Sequence, residues 1–257
     1  MIAGTWFRRH KRILFVGSGC LVLLLILGGY VLWGNAVWAT YHSSYAELKD
    51  TTKESVDVAL RLPSGSSKER AAKLQALVAA SAAVTANREG CSINGTIRWQ
   101  QSLNGTYKKW LRECDAVHRS IDLLGSELDV AVNYLKNEHE LAASVSTVLA
   151  ATNSKVTEAG FAAVATKWKS AATTIKDSKV SSEFMPVKAE AQKAIGDVAT
   201  AWQALVAAHA AKDEAKYDKA VKALSTAYAS IDDIEKESTQ QFSAISKTIQ
   251  LRYEAAF

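Results

Sequence analysis

Proline is nearly absent from this chain. Pro63 and Pro186 are the only two among 257 residues. Because proline ends or kinks helices, its absence from residues 64–185 leaves that stretch free to form long ones. Cysteine is almost as scarce, with Cys20, Cys91 and Cys114 alone. That excludes a disulfide-dense scaffold, and it excludes a structural zinc site built on two cysteine pairs.

The patterns that carry common chemistries are also missing. There is no glycine-rich phosphate loop after a strand, and Gly17-x-Gly19 falls inside an apolar run. No serine has a nucleophile-elbow context. His139-Glu140-Leu141 lacks the second histidine that a zinc-protease helix needs four positions on. Asp115-x-x-His118 puts a carboxylate and an imidazole one turn apart without a nucleophile, the pattern of a solvated helix face. His209 ends an apolar stripe and reads as a packed core histidine. Glu138-His139-Glu140 is at most a weak cation cluster. We therefore expect no catalytic residue, metal or cofactor, and a role other than that of an enzyme.

Charge is absent in an equally informative way. Residues 1–12 contain no acid but carry Arg8, Arg9, Lys11 and Arg12, and the 21 residues 13–33 carry no charge at all. A helix of that length spans roughly 30 Å, the thickness of a bilayer's hydrocarbon core. Its middle reads Leu21-Val22-Leu23-Leu24-Leu25-Ile26-Leu27, with Trp6-Phe7 at one end and Tyr30, Trp33 and Trp38 at the other, as interfacial aromatic anchors are placed. A cleaved signal peptide is the competing reading, since Gly34-x-Ala36 offers small residues. Signal-peptide apolar regions, however, run only about 7–15 residues. The expectation is an uncleaved signal anchor at 13–35, a cytoplasmic tail at 1–12 and an extracytoplasmic domain at 36–257, oriented by the positive-inside rule. The lipid bilayer is then an obligatory partner, and the location is a cell membrane, crossed once.

The net charge of +5 comes almost wholly from that tail: setting aside its four basic residues leaves 27 basic against 26 acidic. No nucleic-acid partner is expected, because that needs basic residues clustered on one face of a domain.

The extracytoplasmic part reads as all-α, an antiparallel bundle of about five or six helices, the first continuous with the span. Trp38, Tyr41, Tyr45, Leu48, Thr52, Val56 and Ala59 recur at three- and four-residue steps. Leu62-Pro63-Ser64-Gly65 stops that helix, and Ser66-x-x-Glu69 reads as a capping box for the next. There the apolar face is Leu74, Leu77, Val78 and Val84, with Ser81 expected to bond back to its own helix. Gly90 ends it.

A long near-heptad, coiled-coil-like helix over about 107–150 carries Ile121, Leu124, Leu128, Ala131, Leu135, Ala142, Val145 and Leu149, with Glu138 the polar exception and Gly125 marking a bend. Phe161, Val164, Trp168, Ala171 and Ile175 mark a fourth helix, and Ile195, Val198, Trp202, Leu205 and His209 a fifth that starts near Pro186. Asp213 caps the last, whose face is Tyr217, Val221, Leu224, Tyr228, Ile231, Phe242, Ile245 and Ile249.

Residues 91–106 break this rhythm with two Asn-Gly turns around Ile97-Arg98-Trp99. Asn94-Gly95-Thr96 and Asn104-Gly105-Thr106 match the N-glycosylation pattern. An extracytoplasmic cysteine pair is usually a disulfide, so Cys91 and Cys114 are expected to tie the loop down. Closing about 24 residues contributes on the order of 3 kcal/mol in the chain-entropy account. Ile97 and Trp99 would then form a contact patch.

Two functions follow as expectations. The first is a membrane-anchored interaction or structural module with an envelope protein as partner. The second is a ligand-binding or sensory domain for a small hydrophobic molecule, held in a crevice near Trp168, Trp202 and Tyr228.

Overall fold

The computed structural model describes the backbone of residues 3–90, 105–153 and 156–257, and side chains chiefly over 22–87, 116–150 and 156–257. Cys91, Ile97, Trp99, Asn94, Asn104 and the side chain of Cys114 lie outside the described residues, and with them the expected disulfide and contact patch.

Among the described residues the protein is all-α. Six α-helices follow in order: α1 Ala3–Arg61, α2 Ser67–Gly90, α3 Gly105–Asn153, α4 Phe161–Asp177, α5 Met185–Ala210 and α6 Glu214–Ala256, with single 3₁₀ turns at Glu158–Gly160 and Ser182–Phe184. The chain divides into two units, Met1–Thr51 with Ala86–His118 and Thr52–Thr85 with Arg119–Phe257. The first holds most of α1, the end of α2 and the start of α3. Among the described residues no helix is long and apolar enough to cross a membrane; within the uncharged run, side chains are described from residue 22 onward.

The second unit holds the core, and its helices start and stop for local reasons. The chain turns after α1 at Leu62 to Gly65. Glu69 then accepts from the Ser66 backbone N–H at 2.9 Å while Ser66 Oγ accepts from the Glu69 N–H at 3.3 Å, a complete capping box. Asp213 caps α6 by accepting from the Lys216 N–H at 3.0 Å. Lys188 Nζ reaches back to the carbonyls of Lys176 (2.9 Å) and Ser178 (2.5 Å), supplying a cation at the end of α4.

The α5–α6 link is tighter than its sequence suggests. The Asp213 N–H donates to the Ala208 carbonyl at 3.0 Å and the Lys212 N–H to that of His209 at 3.1 Å, the two bonds of a Schellman turn. Lys212 sits at its left-handed position with φ 54°, a conformation that costs an L-residue roughly 1–2 kcal/mol. Lys212→Gly is therefore expected to stabilise the protein by about 0.5–1 kcal/mol, the strain relief being partly offset by the freer unfolded chain. A denaturant midpoint at or below that of the wild type would contradict this.

Packing follows the expected stripe on α4, where Val164, Trp168, Ala171 and Ile175 are all buried, and on α3, where Ile121, Leu124, Leu128, Ala131 and Leu135 are. α4 packs on α5, and α5 on α6. On α2 the buried face is rotated from expectation. It consists of Arg70, Lys73, Leu77, Ala80, Val84 and Asn87, while Val78 is exposed. Ser81 bonds outward to Asp129 Oδ1 at 2.7 Å instead of back to its own helix. The α2–α3 approach is close at Gly125, where an added Cβ would stand 3.0 Å from Val84 Cγ1, so the glycine serves proximity of the two helices.

Candidate functional site

Four helices of the second unit meet at a buried polar cluster. Arg70 of α2 is 1% exposed and Glu138 of α3 is 8% exposed. Arg70 Nε donates to Glu138 Oε1 at 2.8 Å and to Oε2 at 2.9 Å, and Nη2 lies 2.7 Å from Oε1. Nη1 donates to the Ser64 carbonyl at 3.0 Å and to Thr239 Oγ1 at 2.9 Å. One guanidinium thus holds the α1–α2 turn, α3 and α6 together.

The carboxylate is satisfied from the other side as well. Ser238 Oγ of α6 donates to Glu138 Oε1 at 2.7 Å. Tyr134 Oη, one turn before Glu138, lies 3.0 Å from the Ser238 carbonyl, to which it donates, and 3.1 Å from Ser238 Oγ. Its ring packs edge-on against Phe184, with centroids 5.0 Å apart, and beside Phe242 at 5.8 Å. This burial pushes the Tyr134 phenol up to about 12.

Lys73 adjoins the cluster one turn along α2 from Arg70. Its Nζ donates to the carbonyls of Leu62 (3.0 Å) and Leu60 (3.4 Å) and lies 5.8 Å from the centroid of the Phe242 ring. Burial holds its ammonium below the usual lysine value. A cation at the carbonyl end of α1 also complements that helix's dipole.

Beside the cluster runs a groove of about 270 Å³. Leu141, Ala142, Val145 and Leu149 of α3 and Ile231 and Ile234 of α6 form its apolar sides. Arg70, Glu138 and Ser238 stand at one end, with Glu235, Asp232 and Ser67 also lining it.

The residues expected to bind a hydrophobic ligand are brought together elsewhere. Trp202 Nε1 donates to Tyr228 Oη at 2.9 Å, and Trp168 and Tyr228 meet edge to face at 5.6 Å. Trp168 Nε1 donates to Thr152 Oγ1 at 3.1 Å, and Phe161 packs on Trp202. Trp168 and Trp202 are buried in this cluster, and the groove described above is lined by neither of them nor by Tyr228.

His209, expected in the core, is 42% exposed and stands 3.6 Å from Glu158 Oε2. The Glu138-His139-Glu140 cluster does not assemble. Glu138 turns inward to Arg70 while His139 and Glu140 face solvent, and no group of three metal-ligating side chains occurs among the described residues. Sequence reasoning singled out Glu138 as a polar exception but missed Arg70 and Lys73, which read as ordinary surface cations of an amphipathic helix. Compared with known proteins, the chain matches no family model, no curated protein and no solved structure.

Proposed function

We propose that this is a single-pass, membrane-anchored protein of the cell envelope whose helical extracytoplasmic domain acts as a non-catalytic interaction or structural module. The observation that carries the reading is the surface of α1 over residues 22–33. Six successive side chains, Val22, Leu23, Leu24, Leu25, Ile26 and Leu27, are each between 53% and 68% exposed, and Val31, Leu32 and Trp33 are exposed beyond them. At about 100° per residue, six successive positions cover every face of a helix. A helix apolar all round belongs in a core or a bilayer. Leaving such side chains in water forgoes roughly 1.5–3 kcal/mol each.

Other features support the same reading. The uncharged run continues through residues 13–21 to Arg8, Arg9, Lys11 and Arg12, which favours a cytoplasmic N-terminus. Tyr30 and Trp33, with ring centroids 5.8 Å apart, stand at the far end, where amphipathic rings meet headgroups. The buried charges of the second unit are consumed in holding helices together, which suits a scaffold.

Protease added to intact cells is expected to digest the C-terminal domain and leave a small membrane-embedded fragment containing residues 13–35. A C-terminus that resists protease until the membrane is opened would overturn the topology. A domain released free of membrane, with its N-terminus near Ala36, would show cleavage in place of anchoring.

A further inference from the structure

The groove beside the polar cluster carries more negative charge than its own cation neutralises. Its charged lining is Arg70 against Glu138, Asp232 and Glu235. Arg70 is taken up by Glu138, with Nη2 2.7 Å from Oε1, so that guanidinium is closed off from the groove. Glu235 Oε1 accepts from the Ser67 N–H at 3.3 Å and lies 3.9 Å from Arg70 Nη2, which leaves Glu235 Oε2 without a partner among the described residues. Asp232 makes no hydrogen bond or ion pair among them. The two carboxylates stand three residues apart on α6, neighbours on one helix face, where like charges repel. Lys68 and Lys236 flank lining residues in sequence, yet they pair with neither carboxylate and do not line the groove.

Beside these carboxylates the lining is aliphatic. Leu141, Val145 and Leu149 of α3 and Ile231 and Ile234 of α6 supply it, over about 12 Å of α3. A space of about 270 Å³ lies at the small end of ligand pockets and is small for a partner helix about 10–12 Å across. Apolar walls beside unneutralised carboxylates select a cationic amphiphile with a single chain. The head group follows from the lining as well. A primary ammonium brings three donors. Quaternary ammonium groups are held by aromatic faces, and no aromatic side chain among the described residues lines this groove. A carboxylate ligand would add to the unpaired negative charge.

We propose that this groove binds a primary alkylamine, its ammonium held by Asp232 and Glu235 Oε2 and its chain along Val145, Leu149 and Ile231. The site is separate from the Trp168–Trp202–Tyr228 cluster and does not depend on the membrane topology proposed above.

The test is calorimetric titration of the full chain in zwitterionic phosphatidylcholine nanodiscs with n-octylamine, the heat of empty nanodiscs being subtracted. At about pH 7 a primary amine is protonated. Saturable binding is expected, tighter than that of n-octanol or octyltrimethylammonium. Asp232→Asn with Glu235→Gln removes both charges at exposed side chains and keeps an acceptor for the Ser67 N–H. It should weaken octylamine roughly three- to thirtyfold, the scale of two partly exposed ion pairs, and abolish the preference over octanol. Ala142→Trp fills the groove from α3 with both carboxylates in place. It should weaken octylamine by at least about tenfold, since the chain loses its apolar contact. Thermal unfolding checks that this variant stays folded, and the carboxamide variant decides the matter if it does not.

Three results would overturn the proposal. Octylamine heats identical for wild type and the carboxamide variant would remove the carboxylates' role. Octanol or octyltrimethylammonium binding as tightly as octylamine would show that no primary ammonium is selected. Heats that never saturate beyond those of empty nanodiscs would mean that the amine merely partitions into lipid.

Discussion

Replacing Glu138 by alanine is expected to lower the unfolding free energy by about 3–5 kcal/mol, the usual cost of stranding one member of a buried ion pair. The carboxylate neutralises Arg70, which is 1% exposed, and accepts from Arg70 Nε and from Ser238 Oγ. Without it the guanidinium keeps the Ser64 carbonyl and Thr239 Oγ1, which are neutral and cannot offset its charge. Removing both charges at once changes the arithmetic, because the desolvation of two ions is then avoided. Arg70→Met with Glu138→Leu should therefore cost much less than the sum of the single changes, with a coupling on the order of 1–3 kcal/mol. Urea unfolding of the full chain in one membrane mimetic, followed by far-ultraviolet circular dichroism, measures all four corners of that cycle. Glu138→Ala within about 1 kcal/mol of wild type would show that the pair is not what holds α2, α3 and α6 together.

The same pair marks where sequence reasoning reached and where it stopped. Signals carried by neighbouring residues were legible. The Ser66–Glu69 capping box, the Asp213 cap and the apolar stripe of α4 each depend on partners within a turn or two. Glu138 was legible as an anomaly, a charge on the buried stripe of α3. Its partner was not, because Arg70 lies 68 residues away and a helix pattern weighs every arginine as a surface residue. The error then spread along α2. Hydropathy favoured Leu74 and Val78, whereas the helix buries Lys73 and Ala80, turned to deliver Arg70 to Glu138.

Alanine caused a similar slip on α6. Its buried positions include Ala220, Ala227 and Ser238, while Val221 is exposed. Small residues let helices approach closely, so that face is chosen by packing distance, which hydropathy does not encode. Lys212 in a left-handed conformation was hidden for another reason, since glycine is the usual signal for that position and is absent. Of the candidate sites, the aromatic cluster of Trp168, Trp202 and Tyr228 was found in sequence by helical spacing. The groove was not, because the residues of its polar end come from three different helices, α2, α3 and α6.

Raising the pH should expose the other half of the cluster. Burial lifts the Tyr134 phenol from its ordinary value near 10 to about 12, the nearby Glu138 carboxylate acting in the same direction and the Ser238 hydrogen bond and Arg70 against it. Between those values the unfolded chain releases the phenolic proton while the folded chain retains it. The folded state then binds more protons, so stability falls as pH rises. The contribution is complete below about pH 10 and lost by about pH 12, and a two-unit shift corresponds to about 2.7 kcal/mol. Lys73 works in the opposite sense, because burial lowers its value and the folded state sheds that proton first. A single alkaline scan therefore mixes the two, and the informative comparison is with Tyr134→Phe. That variant keeps the ring contacts with Phe184 and Phe242 and should lose about 0.5–1.5 kcal/mol at neutral pH, the net worth of its hydroxyl's hydrogen bond. Above pH 10 its stability should fall less steeply than that of the wild type, so that the two unfolding curves converge or cross by about pH 12. Parallel alkaline limbs for the two proteins would show that the Tyr134 phenol titrates as it does in water, and that the cluster around Glu138 admits solvent.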